Sequence, residues 1–147
     1  KAPVEWNAEE LEPNDGRADA NPVADGDRMF GRIEHGARYD WYELEVAEGR
    51  TEVVIETDSW IHGSPLNPEI MVEGPDGEEV DRADDHDSSS NRDAKVAFTA
   101  TEPGPYKIRV GTCCEGASTR TGGLPKWYVL NVSAKASATE DDTGSGD

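Results

Sequence analysis

The segment DWYELEV, residues 40–46, decides the fold class of this chain. In an extended strand Tyr42, Leu44 and Val46 project to one face, because successive side chains point in opposite directions. The two glutamates between them then project to the other face, which suits solvent. The segment therefore predicts a β-strand that is buried on one side only.

Six further segments have the same short and mostly alternating character, with many β-branched or aromatic residues. They are RMFGRIE (28–34), TEVVIET (51–57), PEIMVE (68–73), KVAFTA (95–100), YKIRVG (106–111) and WYVLNVS (127–133). Turn formers such as GPDGEE at 74–79 and EPGP at 102–105 separate them, and no segment has three turns of helical periodicity. Seven or more strands at this spacing predict an all-β, antiparallel β-sandwich around one core.

The composition excludes several classes of partner. The 147 residues carry a net charge of −18, and only 34% of them are apolar. Nucleic-acid binding needs a basic face, and none is visible in the sequence. No apolar run approaches the roughly 18 residues of a membrane span, so membrane insertion is not predicted. The acidic charge instead favours cations, basic partners or a high-salt habitat.

The stretch EELEPND, residues 9–15, concentrates oxygen-bearing side chains ahead of the first predicted strand. If it is extended, Glu10, Glu12 and Asn14 lie on the same side. Asp15, which a glycine follows, supplies a turn that returns a fourth oxygen toward that side. Such a set suits calcium, which takes about six to eight oxygen ligands. Composition alone, however, favours a solvated acidic leader.

Asp40 raises a second question. It has the parity of the buried set on its strand but stands at the first position of the segment. A carboxylate that is buried without compensation costs on the order of several kcal/mol. Asp40 is therefore expected to have a partner, which the residues alone do not identify.

The order of these features resembles the bacterial pre-peptidase C-terminal domain, a secreted module related to the collagen-binding domains of bacterial collagenases. The series runs from EPND through FGRIE, DWYELEVAEG, GPDGEEV and PGPYKIRVG to WYVLNVS, and it covers residues 9–133. The resemblance implies one jelly-roll-like β-sandwich that is not itself catalytic. Outside it, residues 1–8 are predicted to form a leader. Residues 134–147, which offer no large apolar side chain, are predicted to form a disordered acidic tail.

The resemblance also implies a set of calcium ligands. In calcium-binding members they come from an E-x-E-P-N-D segment and from the acid that opens a D-x-Y-x-F-like strand. The matching positions here are Glu10, Glu12, Asn14, Asp15 and Asp40. Such members usually carry a further acid two or three residues before the last of these, where this chain has Ala37 and Arg38. Arg38 is thus an alternative partner for Asp40 in place of the ion.

The two cysteines, Cys113 and Cys114, are neighbours in the sequence. A disulfide between them closes a strained ring and is one prediction, with free thiols or an intermolecular bond as the alternatives. A structural zinc site is not predicted, because it needs four ligands with spacers that let two cysteines converge.

Catalysis is not predicted either. The three histidines, His35, His62 and His86, stand in no recognisable nucleophile or metalloprotease motif. The acidic stretch at 81–93 does not form an EF-hand, since its sixth loop position is Ser90 rather than glycine. A flexible solvated loop is the prediction there, with a second metal site as the alternative.

Two tryptophans are candidates for ligand binding. Trp60 lies in the predicted loop DSWIHGSPLNP, and Trp127 has the opposite parity to Tyr128 and Leu130. Aromatic side chains on a sandwich face can stack on sugar rings or anchor a protein. Packing beneath a loop is the alternative for each of them.

Together these features predict a non-catalytic, calcium-binding accessory module of a larger secreted protein, located outside the cell or at its surface. It is expected to be monomeric and to position that protein on an extracellular protein or polysaccharide. The alternatives are a purely structural or processing module without ion or ligand, and a carbohydrate-binding module.

Overall fold

The computed structural model describes residues 5–11, 14, 16–33, 39–47, 50–64, 66–84, 93–112 and 126–136. The described residues form ten strands and two single-turn 3₁₀ helices, Arg17–Asp19 and Trp60–His62, with no α-helix. The strands are β1 (Ala8–Glu9), β2 (Asn21–Val23), β3 (Arg28–Ile33), β4 (Tyr39–Val46), β5 (Thr51–Thr57), β6 (Pro68–Glu73), β7 (Glu79–Ala83), β8 (Lys95–Ala100), β9 (Gly104–Thr112) and β10 (Lys126–Ala136). None of the helices in these ranges is long and apolar enough to cross a membrane.

The strands form two five-stranded sheets. The first sheet has the order β1-β3-β10-β5-β8, and the second sheet has the order β2-β4-β9-β6-β7. The β1–β3 and β2–β4 pairs are parallel, and the other pairs are antiparallel. The predicted all-β sandwich with one domain is confirmed.

All seven predicted strands are present, as β3 to β6 and β8 to β10. The last strand continues to Ala136, three residues into the segment assigned to the tail. Strands β1, β2 and β7 were not predicted. All three lie at sheet edges and have few buried residues, so their sequences carry little hydrophobic alternation.

The core lies between the inner faces of the two sheets. Tyr42, Leu44 and Val46 are buried there, as predicted. Antiparallel register places Tyr42 opposite Ile108 and Leu44 opposite Tyr106 on β9, and these partners are also buried. Side chains opposite each other in a sheet pack together, so the buried positions of β4 lie opposite buried positions of β9.

The inner faces also hold a pair of buried tyrosines, Tyr42 on β4 and Tyr128 on β10, whose hydroxyl oxygens lie 2.5 Å apart. Gly31 on β3 makes room for them. A Cβ atom at Gly31 would lie 2.5 Å from the Tyr128 hydroxyl oxygen and 2.9 Å from that of Tyr42. No real side chain fits at those distances, so the tyrosine pair explains the glycine in this strand.

The N-terminal segment closes one edge of both sheets. Strand β1 extends the first sheet and β2 extends the second, so the chain between them crosses the open side of the sandwich. Ala8 packs against the core, and the N–H of Glu10 donates to the carbonyl of Phe30 at 2.9 Å. Part of the acidic N-terminal stretch is therefore built into the sheets.

An ion pair fastens the crossing segment to the second sheet. The guanidinium of Arg17 donates to both carboxylate oxygens of Glu73, at 2.8 and 2.6 Å, and lies 4.9 Å from the ring centroid of Trp41. Glu73 is buried. The hydrogen bonds from Arg17 hold the pKa of Glu73 below its ordinary value. This contact therefore depends on the ionised form of the carboxyl group.

The Arg17→Met variant is expected to be less stable than the parent chain near neutral pH, with a difference that shrinks in acid. Because the folded-state pKa of Glu73 is lowered, its stabilising effect is present above the unfolded value of about 4.3 and is lost as the pH falls through the folded value. Urea unfolding of both proteins from about pH 7 to about pH 3 measures the difference in unfolding free energy between them. A difference that stays constant over this range would contradict the assignment.

The Gly31→Ala variant is expected to lose about 1–3 kcal/mol of unfolding free energy, because its methyl group must displace the two tyrosine hydroxyls. Denaturant unfolding measures the loss. Gly16→Ala is the control, since its Cβ atom would meet nothing closer than the Asp19 carboxylate at 4.0 Å. Equal stability of the two variants would show that the tyrosine pair does not depend on Gly31.

Candidate metal-binding site

The structure describes three of the five predicted calcium ligands, Glu10, Asn14 and Asp40. Predicted residues that lie outside the described part of the chain are Glu12, Asp15, Ala37, Arg38, Cys113 and Cys114, together with most of the acidic loop at 81–93. The calcium ligands among them, the disulfide and the Arg38 alternative stay predictions.

Hydrogen bonds bring Glu10 and Asn14 to the beginning of β4. The side-chain amide of Asn14 donates to Glu10 Oε1 at 3.1 Å, and the backbone N–H of Arg32 donates to Glu10 Oε2 at 2.7 Å. The N–H of Trp41 donates to the carbonyl of Asn14 at 2.8 Å. Trp41 follows Asp40 directly, so one backbone contact sets the N-terminal segment against the strand that carries Asp40.

Asp40 lies in the interior with none of its surface exposed. Its Oδ2 accepts a hydrogen bond of 2.7 Å from the hydroxyl of Tyr128, which also contacts the hydroxyl of Tyr42. Burial raises the pKa of both tyrosines well above the ordinary value, and the negative charges of Glu10 and Asp40 raise it further. Both hydroxyls therefore stay protonated near neutral pH, and Tyr128 acts as a donor to Asp40.

Asn14 contributes a buried oxygen to this cluster. Its side chain is fully buried, and its Oδ1 has no hydrogen-bond partner among the residues that the structure describes. A buried acceptor without a partner costs about 1–3 kcal/mol, so such atoms usually contact an ordered water or an ion. The oxygen lies in the same cluster as two carboxylates, those of Glu10 and Asp40.

The chemistry of this donor set fits a hard cation. Two carboxylates and one amide oxygen are the ligand types that calcium prefers. The amide oxygen, Oδ1 of Asn14, has no hydrogen-bond partner among the described residues and keeps both of its lone pairs. Within the described ranges, no three acidic, histidine or cysteine side chains gather as a metal site. Two predicted carboxylates, Glu12 and Asp15, lie outside these ranges.

Trp60 begins the 3₁₀ turn that follows β5, and the buried carboxylate of Asp93 holds this turn in place. Asp93 Oδ1 accepts hydrogen bonds from the hydroxyls of Thr57 and Ser59 and from the N–H groups of Ser59 and Trp60, at 2.8 to 3.0 Å. Its Oδ2 accepts the N–H of Ile61 at 3.1 Å. Sequence reasoning did not single out Asp93, which stood in an acidic stretch interpreted as a solvated loop.

Trp127 projects from the outer face of the first sheet, as its parity predicted. It lies opposite Arg32 on β3, and its ring centroid is 6.3 Å from that of Phe30. The other predicted aromatic candidate, Trp60, belongs to the turn after β5. The structure thus places both tryptophans outside the cluster of Glu10, Asn14 and Asp40.

The two buried tyrosines were not predicted as part of the site. Their alternation marked Tyr42 and Tyr128 as residues of the buried faces, but not as neighbours of Asp40. One signal was available, since a tyrosine that is buried needs a partner for its hydroxyl. Which partner the hydroxyl has depends on how the two sheets pack on each other, because β4 and β10 lie in different sheets.

Comparison with known proteins agrees with this architecture. A search of curated proteins found no match. Among solved structures, the pre-peptidase C-terminal domain of a collagenase from Bacillus anthracis superposes with a TM-score of 0.56 at 16% identity, over 77% of this chain and 93% of that one. PliG from Aeromonas hydrophila, a periplasmic inhibitor of g-type lysozyme, gives 0.52 at 21% identity, over 79% and 96%. At these identities the likeness supports the fold alone.

The comparison with protein families rests on the sequence and identifies the family of this chain. Residues 38–112, about half of the chain, match the family described as the bacterial pre-peptidase C-terminal domain. The matched region begins just before β4, includes Asp40, and ends with β9. Domains of this family are non-catalytic accessory domains of secreted bacterial proteins. The resemblance predicted from the ordered motifs is confirmed, and the chain belongs to the bacterial pre-peptidase C-terminal domain family.

Proposed function

We propose that this chain is a calcium-binding accessory module that positions a larger secreted protein at its substrate or at a cell surface. The observation that carries the calcium site is the buried Oδ1 of Asn14, which has no hydrogen-bond partner among the described residues. It belongs to the same cluster as the carboxylates of Glu10 and Asp40. A bound cation accounts for this convergence of oxygens better than water, because it also neutralises the two negative charges.

Glu10, Asn14 and Asp40 would hold the ion, and Glu12 and Asp15 complete the proposed set. Calcium fits this set better than magnesium, because calcium accepts six to eight oxygen ligands in flexible geometry, whereas magnesium usually keeps several waters. The ion supplies positive charge at a place where carboxylates are shielded from solvent. Tyr128 would orient Asp40 by donating its hydroxyl to Oδ2 of the carboxylate.

Calcium at this position would join the N-terminal segment to the sandwich. Glu10 and Asn14 belong to the stretch that crosses between β1 and β2, while Asp40 belongs to β4. An ion bound only by the folded arrangement stabilises the fold in proportion to its occupancy. Calcium would therefore stabilise the attachment of the edge strands β1 and β2 to their sheets, in addition to neutralising the carboxylates of Glu10 and Asp40.

A purely structural module without an ion is the second candidate. The hydrogen bond from Tyr128 to Asp40 favours it, because this contact already compensates part of the cost of burying the carboxylate. In that case the acidic residues would serve solubility in salt. The two candidates differ in what calcium does to stability.

Thermal unfolding in excess chelator and then in millimolar calcium tests the site, with magnesium as the comparison. Calcium at about one hundred times its dissociation constant adds about 2.7 kcal/mol, which is a rise in melting temperature of several degrees for a domain of this size. The Asp40→Asn variant is expected to lose the rise, because an amide cannot provide the anionic ligand.

Two control variants keep the test specific. Asp93→Asn alters another buried carboxylate, so it should lower the melting temperature yet keep the calcium-dependent rise. Glu45→Gln removes an exposed acid and should change neither. If calcium does not shift the parent chain, or shifts Asp40→Asn equally, the ion-free structural module is the correct description.

A further inference from the structure

A series of hydrogen bonds runs through the interior from the N-terminal segment to β10 and β4. Its members, in order of contact, are Glu10, Asn14, Tyr42, Tyr128 and Asp40. Nδ2 of Asn14 donates to Glu10 at 3.1 Å. The hydroxyl oxygens of the two tyrosines lie 2.5 Å apart, and Tyr128 donates to Asp40 at 2.7 Å. All members except Glu10 are fully buried, so bulk solvent does not reach these contacts.

The side chain of Asn14 also reaches Tyr42. Burial is the largest influence on the pKa of Tyr42 and raises it, whereas a hydrogen bond from the Asn14 side chain lowers it. A contact that lowers the pKa of a hydroxyl favours its anionic form, so this contact must present a donor to the oxygen. The donor of an asparagine side chain is its NH2 group, which has two N–H bonds. One of them serves Glu10, and the other is available to Tyr42.

The direction of the series follows from its hydroxyl protons. Each tyrosine hydroxyl has one proton. Tyr128 gives its proton to Asp40, so the proton between the two tyrosines must come from Tyr42. Because that proton is committed, the oxygen of Tyr42 can only accept from Asn14. The proton count and the contact therefore agree that Nδ2 of Asn14 faces Tyr42.

This direction determines how the Asn14 amide is oriented. The oxygen and nitrogen of an asparagine side chain are so alike in shape that only their hydrogen bonds decide which way round they lie. In the reversed orientation, Oδ1 would face two acceptors, the carboxylate of Glu10 and the oxygen of Tyr42. Oδ1 therefore lies on the remaining side, buried and without a hydrogen-bond partner among the described residues. It is the atom that the proposed function gives to calcium.

We infer that Tyr42 is a positioning residue for calcium, since its hydroxyl accepts from Nδ2 of Asn14 and so turns Oδ1 of Asn14 toward the ion. This role rests on the calcium site proposed above and adds to it a residue that is not a ligand. The same series ends at Asp40, so the two tyrosines orient ligands from different segments of the chain. The loss of a side chain that holds a metal ligand in this way usually weakens metal binding by about 10–100-fold.

Calorimetric titration of the full chain with calcium tests the role of Tyr42. Tyr42→Phe removes the hydroxyl and keeps the ring, so we expect the fold to persist and the dissociation constant for calcium to rise about tenfold. Tyr106→Phe is the control, because it removes the hydroxyl of another buried tyrosine, which donates to the Glu102 carbonyl at 2.8 Å. Both variants should lose thermal stability in chelator, but only Tyr42→Phe should weaken calcium binding.

An aspartate at position 14 separates orientation from any other effect of the hydroxyl. Both outer atoms of an aspartate side chain are oxygens, so a ligand oxygen faces the ion in either orientation. The loss caused by Tyr42→Phe is therefore expected to disappear in the Asn14→Asp background. An equal loss in both backgrounds would show that the hydroxyl does not act through Asn14 and would overturn the inference.

The remaining outcomes separate the inference from the proposed function. If the parent chain binds calcium and Tyr42→Phe binds it as tightly as Tyr106→Phe does, the calcium site stands and the role of Tyr42 is wrong. If the parent chain binds no calcium, the proposed function fails, and the role of Tyr42 fails with it. NMR in chelator reports the orientation of the amide without the ion. Nuclear Overhauser contacts between the Asn14 NH2 protons and the Tyr42 ring are expected, and their absence would contradict the orientation.

Discussion

The burial of Asp40 is the constraint on which this end of the molecule depends. A carboxylate with no exposed surface must be compensated, and the fold provides the hydroxyl of Tyr128 on the facing sheet. That hydroxyl contacts Tyr42, and the two tyrosines together require Gly31 on β3. One buried charge thus determines the residue types at three positions on three strands. It also accounts for the polar cluster of Asp40 and the two tyrosines inside the sandwich.

The N-terminal stretch connects this cluster to the rest of the fold. It supplies a parallel edge strand to each sheet, and between them it brings Glu10 and Asn14 to the start of β4. The carboxylate of Glu10 accepts hydrogen bonds from the Asn14 amide and from the backbone N–H of Arg32, and in the proposed function it also coordinates a cation.

Much of the fold could be predicted because strands with one buried face carry a period of two. That pattern identified the seven longer strands, the buried set of Tyr42, Leu44 and Val46, and the outward parity of Trp127. It failed for β1, β2 and β7, since edge strands need no continuous apolar face. It also failed for Asp93, whose acidic neighbours suggested solvent although its carboxylate collects hydrogen bonds from the turn after β5.

The sequence by itself determined the β-sandwich class and the family, and it singled out the EELEPND stretch and Asp40 as acidic features that needed an explanation. These could be predicted because the alternation of side chains and the order of motifs are local properties of the chain. Tertiary structure alone decided which groups meet. Three contacts join residues that are far apart in the sequence. They are the hydrogen bond from Tyr128 to Asp40, the ion pair of Arg17 with Glu73, and the ring contact of Trp6 with Phe30. Such pairs depend on strand order, register and the packing of one sheet on the other, which no local pattern encodes.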